Sequence, residues 1–497
     1  MNLKPRYVAI IVMLALLIGA AGSYVGIQYF GAGGNSSNSA AESTKNFGSL
    51  SQEDQKQLIE GMTGGEQADI EKVEQAYSII QESSLVEADK TQLVEGAIKG
   101  MLDTLEDPYS VYMDKETMEQ FDQSIESSFQ GIGAEVSMVN EKVTVVAPIK
   151  GSPAEKAGLK PNDQILEVDG KSVEGLDLYE AVLKIRGEKG TEVTLTVERP
   201  GASDPLEVKM TRDEIPLETV YEDVQEVNGK KAGVIEITSF SEETSKEFEQ
   251  ALKELESKNI EGLVIDVRGN PGGLFTDVQD ILKLFIPKDK PYVQVEDRNG
   301  ETSKYFSEIK QLKEYPITVL QDEGSASASE ILSAAMKEAG NYEIVGTQSF
   351  GKGTVQQTVP MGDGSTIKLT LFKWLTPEGN WIHEKGVEPT VEVKQPDYFY
   401  SNPVEVKEKL KFDDNSEQVK SIQEMLKGLG YDPGRTDGYF SKETEQAVED
   451  FQQDEKLETN GEVSKETAGK IQELIVNKVR DDKNDKQLDK ALEVLFK

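Results

Sequence analysis

The stretch DEGSASASEI, Asp322 to Ile331, sets three serines at alternate positions, Ser325, Ser327 and Ser329, ahead of a helix-forming run. A serine there can cap the helix, and Ser327 followed three residues on by Glu330 is a capping box. It can also attack, because helix N–H groups at that end stabilise an oxyanion. Attack needs a base, and the chain offers a single histidine, His383 in NWIHEKGVEP, with no G-x-S-x-G elbow. His383 reads as an ordinary polar loop residue. There are no cysteines, so thiol nucleophiles, disulfides and thiolate metal sites are excluded. H-E-x-x-H, Walker A and strand-following G-x-G-x-x-G patterns are also missing, so zinc hydrolysis, a metal site and nucleotide chemistry have no support. The SEIK tetrapeptide, Ser307 to Lys310, matches S-x-x-K but lacks its S-D-N and K-T-G partners.

A lysine base remains. Lys352 lies 25 residues after Ser327, in SFGKGTVQQTV. It must be neutral to take a proton, so its pKa must fall from ~10.4 towards 7–8, a cost of ~4 kcal/mol. Burial beside Phe350 and Val355 is the expected cause. Gly351 and Gly353 remove competing side chains and let the backbone come close. On an extended strand Lys352, Thr354 and Gln356 share a face, which puts Gln356 where it can orient the amine.

The elements that must position these groups follow from periodicity. Residues 66–122 read as helices broken by EDPYSVYM. From Gln130 the rhythm turns to strands, and GSPAEKAGLKPND with FQGIGAEV resembles a PDZ domain over residues 123–212. The backbone N–H groups of Gly131, Ile132, Gly133 and Ala134 would then form a nest for a peptide C-terminal carboxylate, the peptide pairing as an added strand. Residues 213–396 alternate strands (AGVIEITSF, GLVIDVRGN, ITVLQD) with helices, a βαβ-type core. A linker is expected at 397–414. Residues 415–476 carry two similar turns, DGYFSKETEQAV and NGEVSKETAGKI, each opening a helix with Ser-Lys-Glu-Thr. This unit resembles the three-helix peptidoglycan-binding domain at Asp437, Gly438, Phe440, Thr444, Ala447, Phe451 and Gln452, with Asn460 where that family usually has Asp. Residues 477–497 read as a charged helix with an apolar stripe.

Net charge of −37 argues against nucleic-acid partners. At the other end of the chain, Lys4 and Arg6 (in residues 1–6) precede an uncharged run, 7–30, long enough to span a bilayer. The positive residues keep that end cytoplasmic, so the catalytic part faces outward. A cleaved signal peptide is the rival reading. A Gly/Ser/Asn-rich start makes 31–65 a flexible spacer.

The ordered motifs LEDPYSVYM, GIGAEV, GSPAEKAGL, DVRGNPGG, GSASASE, GKGTVQ and LTPEGNWIHEKGVEP resemble the carboxyl-terminal processing, or tail-specific, serine peptidases from about Glu66 to Val393. The resemblance implies a multidomain α+β/α-β chain: transmembrane helix, helical dimerisation segment, PDZ domain, crotonase-like peptidase core and wall-binding module. It implies Ser327 as nucleophile, Lys352 as base and Gln356 as its orienter, with N–H groups of Gly273 and Ala328 as oxyanion hole. No cofactor is implied. Protein substrates with accessible C-termini, peptidoglycan and a second copy of the chain are the implied partners. Arg186, closing the PDZ helix in LKIRGEKG, is a candidate for coupling peptide capture to the catalytic groups, or an ordinary helix-end arginine. The competing functions are a catalytically silent scaffold and a peptidoglycan hydrolase.

Overall fold

The computed structural model describes residues 67–125, 128–139, 142–149, 151–160, 162–176, 178–199, 204–401, 404 and 406–497. The expected cytoplasmic end (1–6), membrane span (7–30) and spacer (31–65) therefore lie outside the described residues, as does residue 66 of the expected helical segment. Among the described residues no helix is long and apolar enough to cross a membrane.

Helices α1 (Gln67–Ser83) and α2 (Lys90–Asp103) come first, and Asp89 caps α2 by accepting from the Gln92 N–H. The DPYSVYM break leads into β1 (Val111–Met113) and α3 (Lys115–Ile125). Then β2 (Ser128–Gly131) pairs antiparallel with β9 (Asp213–Pro216), so the chain enters and leaves the PDZ-like region through one two-stranded neck. Between them lie β3 (Ala134–Val139), β4 (Lys142–Pro148), α4 (Pro153–Lys156), β5 (Gln164–Val168), β6 (Lys171–Ser172), α5 (Leu178–Ile185), β7 (Glu192–Glu198) and β8 (Leu206–Thr211). The strands form one sheet in the order β3-β4-β5-β7-β8, and it closes on its own core of Ile132, Val145, Ile165, Ala181 and Leu195.

The next unit is built on a six-stranded sheet, β10 (Val220–Val227), β11 (Lys230–Ile237), β12 (Gly262–Asp266), β15 (Ile317–Gln321), β16 (Glu343–Gly346) and β19 (Val391–Glu392), in that order. All neighbours beyond β10 run parallel. Every residue of β12 and β15 is buried, because both faces of the sheet are covered. Leu263, Ile265, Ile317 and Val319 face α6 (Thr244–Ser257), α7 (Phe275–Leu282) and α8 (Ala328–Glu338). The alternate residues Val264 and Leu320 face α12 (Lys486–Leu495), the end of the chain. The apolar stripe expected in the tail is thus spent on the six-stranded sheet. A second sheet takes β1, β18 (Thr366–Leu375), β13 (Pro291–Glu296) and β14 (Thr302–Phe306), with β17 (Thr354–Pro360) also on β18.

Helices α9 (Glu417–Leu429), α10 (Lys442–Asp454) and α11 (Lys465–Val479) make the predicted three-helix module. Ser441 and Ser464 cap α10 and α11, as the Ser-Lys-Glu-Thr turns require. Gln423 holds the Gly438 turn and Gln452 holds the Gly461 turn in the same way, each accepting from the glycine N–H. The segment read as a linker is partly built into this module, with Val404 and Leu410 buried in its core.

Candidate active site

The turn after β15 separates the three serines. Ser325 and Ser329 are fully buried, and their hydroxyls donate to the carbonyls of Val267 (2.7 Å) and Asn270 (2.9 Å). Ser327, between them, is only partly buried and lines a cleft. Its backbone sits at φ 53°, ψ −110°, a conformation that costs a non-glycine residue ~1–3 kcal/mol. Surrounding bonds hold it there. The Ala326 N–H donates to the Asn270 carbonyl at 3.0 Å, and the Ser327 N–H donates to Glu330 Oε2 at 2.8 Å.

Across the cleft stand Gly273, Phe275, Ala328, Ile331, Thr354, Val355, Gln356 and Trp374. Phe240 donates its N–H to Gly272 and accepts from Leu274, so the N–H of Gly273 points away from Phe240. Gly273 has φ 142°, and a Cβ there would lie 2.1 Å from the Phe240 carbonyl oxygen. Only glycine fits. Ala328 opens α8, where the first N–H groups have no partner within the helix. The two amides expected to act together thus border one cleft with the Ser327 side chain.

Glu330 is completely buried and binds four donors. Oε1 accepts from Ser349 Oγ and the Gly351 N–H, each at 2.6 Å; Oε2 accepts from the N–H groups of Ser327 and Lys352, each at 2.8 Å. The backbone nitrogens of Ser327 and Lys352 are therefore separated by no more than the sum of two hydrogen bonds. In the sequence Glu330 is legible only as a cap partner. Burial pushes its carboxyl pKa up, and the four donors counter that by favouring the anion.

Lys352 is 1% exposed. Burial holds its pKa well below 10.5, and the charge of Lys368 pushes the same way, while Asp107 and Glu330 oppose. The apolar company differs from expectation. Phe350 is 49% exposed and takes no part, because the chain turns at Gly351 (φ 95°) to fit against Lys385 and Gly386. Instead the ring of Tyr109, from the DPYSVYM loop, lies 4.7 Å from the amine. The Lys352 carbonyl accepts from Trp374 Nε1 at 2.8 Å. A Cβ on Gly353 would come within 2.8 Å of the His383 nitrogen, so the predicted close backbone approach is present. His383 itself accepts from the Gly353 N–H and stacks on Trp381.

Gln356 lies on the inward face of β17, as the period-two argument requires. Its amide nitrogen donates to the hydroxyls of Thr354 and Thr370, both at 3.0 Å. Nothing in the local pattern singles out Lys368. This second buried lysine lies on β18, 5.4 Å from the Phe121 ring, with its pKa lowered by burial to about 8. Its signal was faint: a lysine alternating with Ile367 and Leu369 reads as a solvent face.

Away from the cleft, the Ile132 carbonyl accepts from Ala154 and the Gly133 carbonyl from Ile149 and Ser152 Oγ. A trans peptide sets N–H opposite C=O, so the Gly133 N–H points away from α4. Gly133 has φ 71° and a Cβ would meet Ser152 Cβ at 2.4 Å. The guanidinium of Arg186 lies 4.9 Å over the Phe129 ring, and its Cγ would stand 3.7 Å from a Cβ on Gly131. Arg186 is therefore beside the loop 131–134.

Residues 231–393 match peptidase family S41, 130–210 a PDZ domain, 415–471 a putative peptidoglycan binding domain, and 16–117 the N-terminal domain of the activating protease CtpB. The chain is 56% identical over 427 residues to the carboxy-terminal processing protease CtpB of Bacillus subtilis strain 168, covering 86% of this chain and 89% of that one. It is 43% identical to CtpA of the same organism, covering 86% and 90%. Among solved structures, the photosystem II D1 C-terminal processing protease is 27% identical, with a TM-score of 0.42, covering 69% of this chain and 94% of that one.

Proposed function

Because the chain belongs to the carboxy-terminal processing serine proteases of peptidase family S41, we propose that it cleaves protein substrates with a Ser327–Lys352 dyad at the outer face of a membrane. The observation that carries this reading is the shared carboxylate of Glu330, which binds the backbones of Ser327 and Lys352 beside one cleft. Lys352, kept neutral by burial, takes the proton of Ser327 Oγ as the hydroxyl attacks the peptide carbonyl. The N–H groups of Gly273 and Ala328 hold the oxyanion. Lysine then protonates the leaving amine, and a water activated by the same amine hydrolyses the acyl-enzyme. Gln356 commits its nitrogen to two threonines, which leaves its carbonyl oxygen to accept from the amine in this reading.

The PDZ region takes a substrate C-terminus on the loop Gly131 to Ala134, and Arg186 links that capture to the catalytic groups; its place beside Gly131 supports this. The three-helix module binds peptidoglycan, consistent with its family match. The uncharged run 7–30 supports a single cytoplasm-to-outside anchor. Ile70, Ile79, Ile80, Val94 and Met101, exposed on α1 and α2, support dimerisation through those helices.

Purified full-length protein is expected to degrade casein, with or without an added PDZ ligand. Ser327→Ala is expected to lose at least ~10⁴ in rate. Extracytoplasmic proteomes of wild-type and Ser327→Ala cells would then differ in the C-termini of specific proteins; identical proteomes, with no casein cleavage, contradict the reading. Lys368→Met removes a positive charge that lowers the Lys352 pKa. The acid limb of kcat/KM is expected to move to higher pH, and activity at pH 7 to fall. An unmoved limb would show that Lys368 does not tune the base.

A further inference from the structure

The last helix of the chain reaches the base of the oxyanion loop. Arg268, at the start of RGNPGG, chelates Asp266 and extends its guanidinium to Asp485, with Nη2 2.8 Å and Nη1 3.0 Å from that carboxylate. Nη1 also donates to Gln487 Oε1 at 3.2 Å. Asp485 is the N-cap of α12 and accepts from the Leu488 N–H at 2.9 Å. Gln487, 1% exposed, donates to the Val393 carbonyl. Gln395 donates to Asp485 and accepts from the Lys486 N–H. The wall-binding module therefore begins and ends at one buried polar junction, and that junction is closed by Arg268.

Beyond Arg268 the loop runs straight to the site. The Gly269 N–H donates to Asp322 Oδ1 at 2.8 Å, and the Asn270 carbonyl accepts from Ala326 and Ser329. Gly272 packs against Ser327, where a Cβ would fall 2.9 Å from the serine Cβ. From Gly269 onward the loop is fixed by the serine turn, and at Arg268 by α12. Burial of Leu488, Ala491, Leu492 and Leu495 on the sheet keeps α12 from shifting.

We propose that Asp485 and Gln487 are positioning residues of the peptidase: they hold Arg268, and through it set the Gly273 N–H for the oxyanion. The inference rests on the oxyanion role given to Gly273 above. It makes the segment following the wall-binding module a working part of catalysis rather than a tail.

The test uses full-length Asp485→Asn, which retains a good helix cap and the side-chain shape but loses the charge. Active sites are titrated with a fluorophosphonate, and kcat, KM and the inhibition constant of a peptide boronate are measured per titrated site. Because a displaced donor can cost up to ~10²-fold, kcat per site is expected to fall about tenfold or more, with boronate affinity falling in parallel and KM within roughly twofold. Lys490→Ala, at an exposed ion pair on α12, is the control and should match wild type. Gln487→Met keeps the carboxylate and should show a smaller loss of the same kind, which preserves the test if Asp485→Asn does not fold. Normal kcat and boronate affinity per site, even with a lowered Tm, would overturn the proposal and leave Asp485 as an anchor only. Wild-type protein whose cleavage is independent of Ser327 would instead overturn the functional reading itself.

Discussion

Lys352→Met is expected to abolish peptide cleavage and to raise the melting temperature. Methionine matches the lysine stem in length and volume, so the 1%-exposed site stays filled. On the proposed mechanism catalysis loses its base, with a loss of up to ~10⁴-fold expected for proton transfer alone. Stability moves the other way. The folded-state pKa of Lys352 is depressed, so between that value and 10.5 folding forces release of a proton that the unfolded chain keeps. The cost is absent above the ordinary lysine value of 10.5, grows as pH falls below it, and levels off once the folded value is passed. Thermal unfolding of wild type and Lys352→Met should therefore diverge at pH 7 and converge above pH 10.5. A variant less stable than wild type at pH 7 would show that the amine is charged and well solvated in the fold.

Glu330→Ala carries the second large effect, and here activity and stability fall together. Removing the carboxylate strands the N–H groups of Ser327, Gly351 and Lys352 and the Ser349 hydroxyl in a buried site. Unpaired buried donors cost ~1–3 kcal/mol each, and loss of one side of a buried charged network typically totals about 3–5 kcal/mol. Glu330→Gln keeps the volume but turns an NH2 group towards N–H donors, so it is expected to fail in the same sense. Urea unfolding and kcat per titrated site check both variants. If either variant stays within about 0.5 kcal/mol of wild type, the carboxylate is not what joins the segments of Ser327 and Lys352.

The segments carrying Ser327 and Lys352 are more legible in the sequence than their surroundings, for physical reasons. GLVID and ITVLQ are recognisable as buried strands, but a strand apolar on both faces does not say what covers each. The cover on one face is α12, whose stripe was legible while its partner, assembled from Val264, Leu320 and Val345, was not. Ser327 and Lys352 stood out through glycines and serines that only a constrained turn needs. The lysine's environment did not, because local sequence suggested Phe350 whereas Tyr109 and Lys368 arrive from distant segments through the β1–β18 pairing. Glu330 is visible as a cap; its three further donors depend on a loop that returns only after β16.

The central claim is that a neutral Lys352 activates Ser327. Its most direct test is the rate of phosphonylation of Ser327 by an uncharged fluorophosphonate, followed from pH 5 to 11 in the purified full-length protein. The rate is expected to rise through a single ionisation well below 10.5 and to lose that ionisation in Lys352→Met. A rate still climbing at 10.5, or the same profile in both proteins, would mean that another group takes the proton.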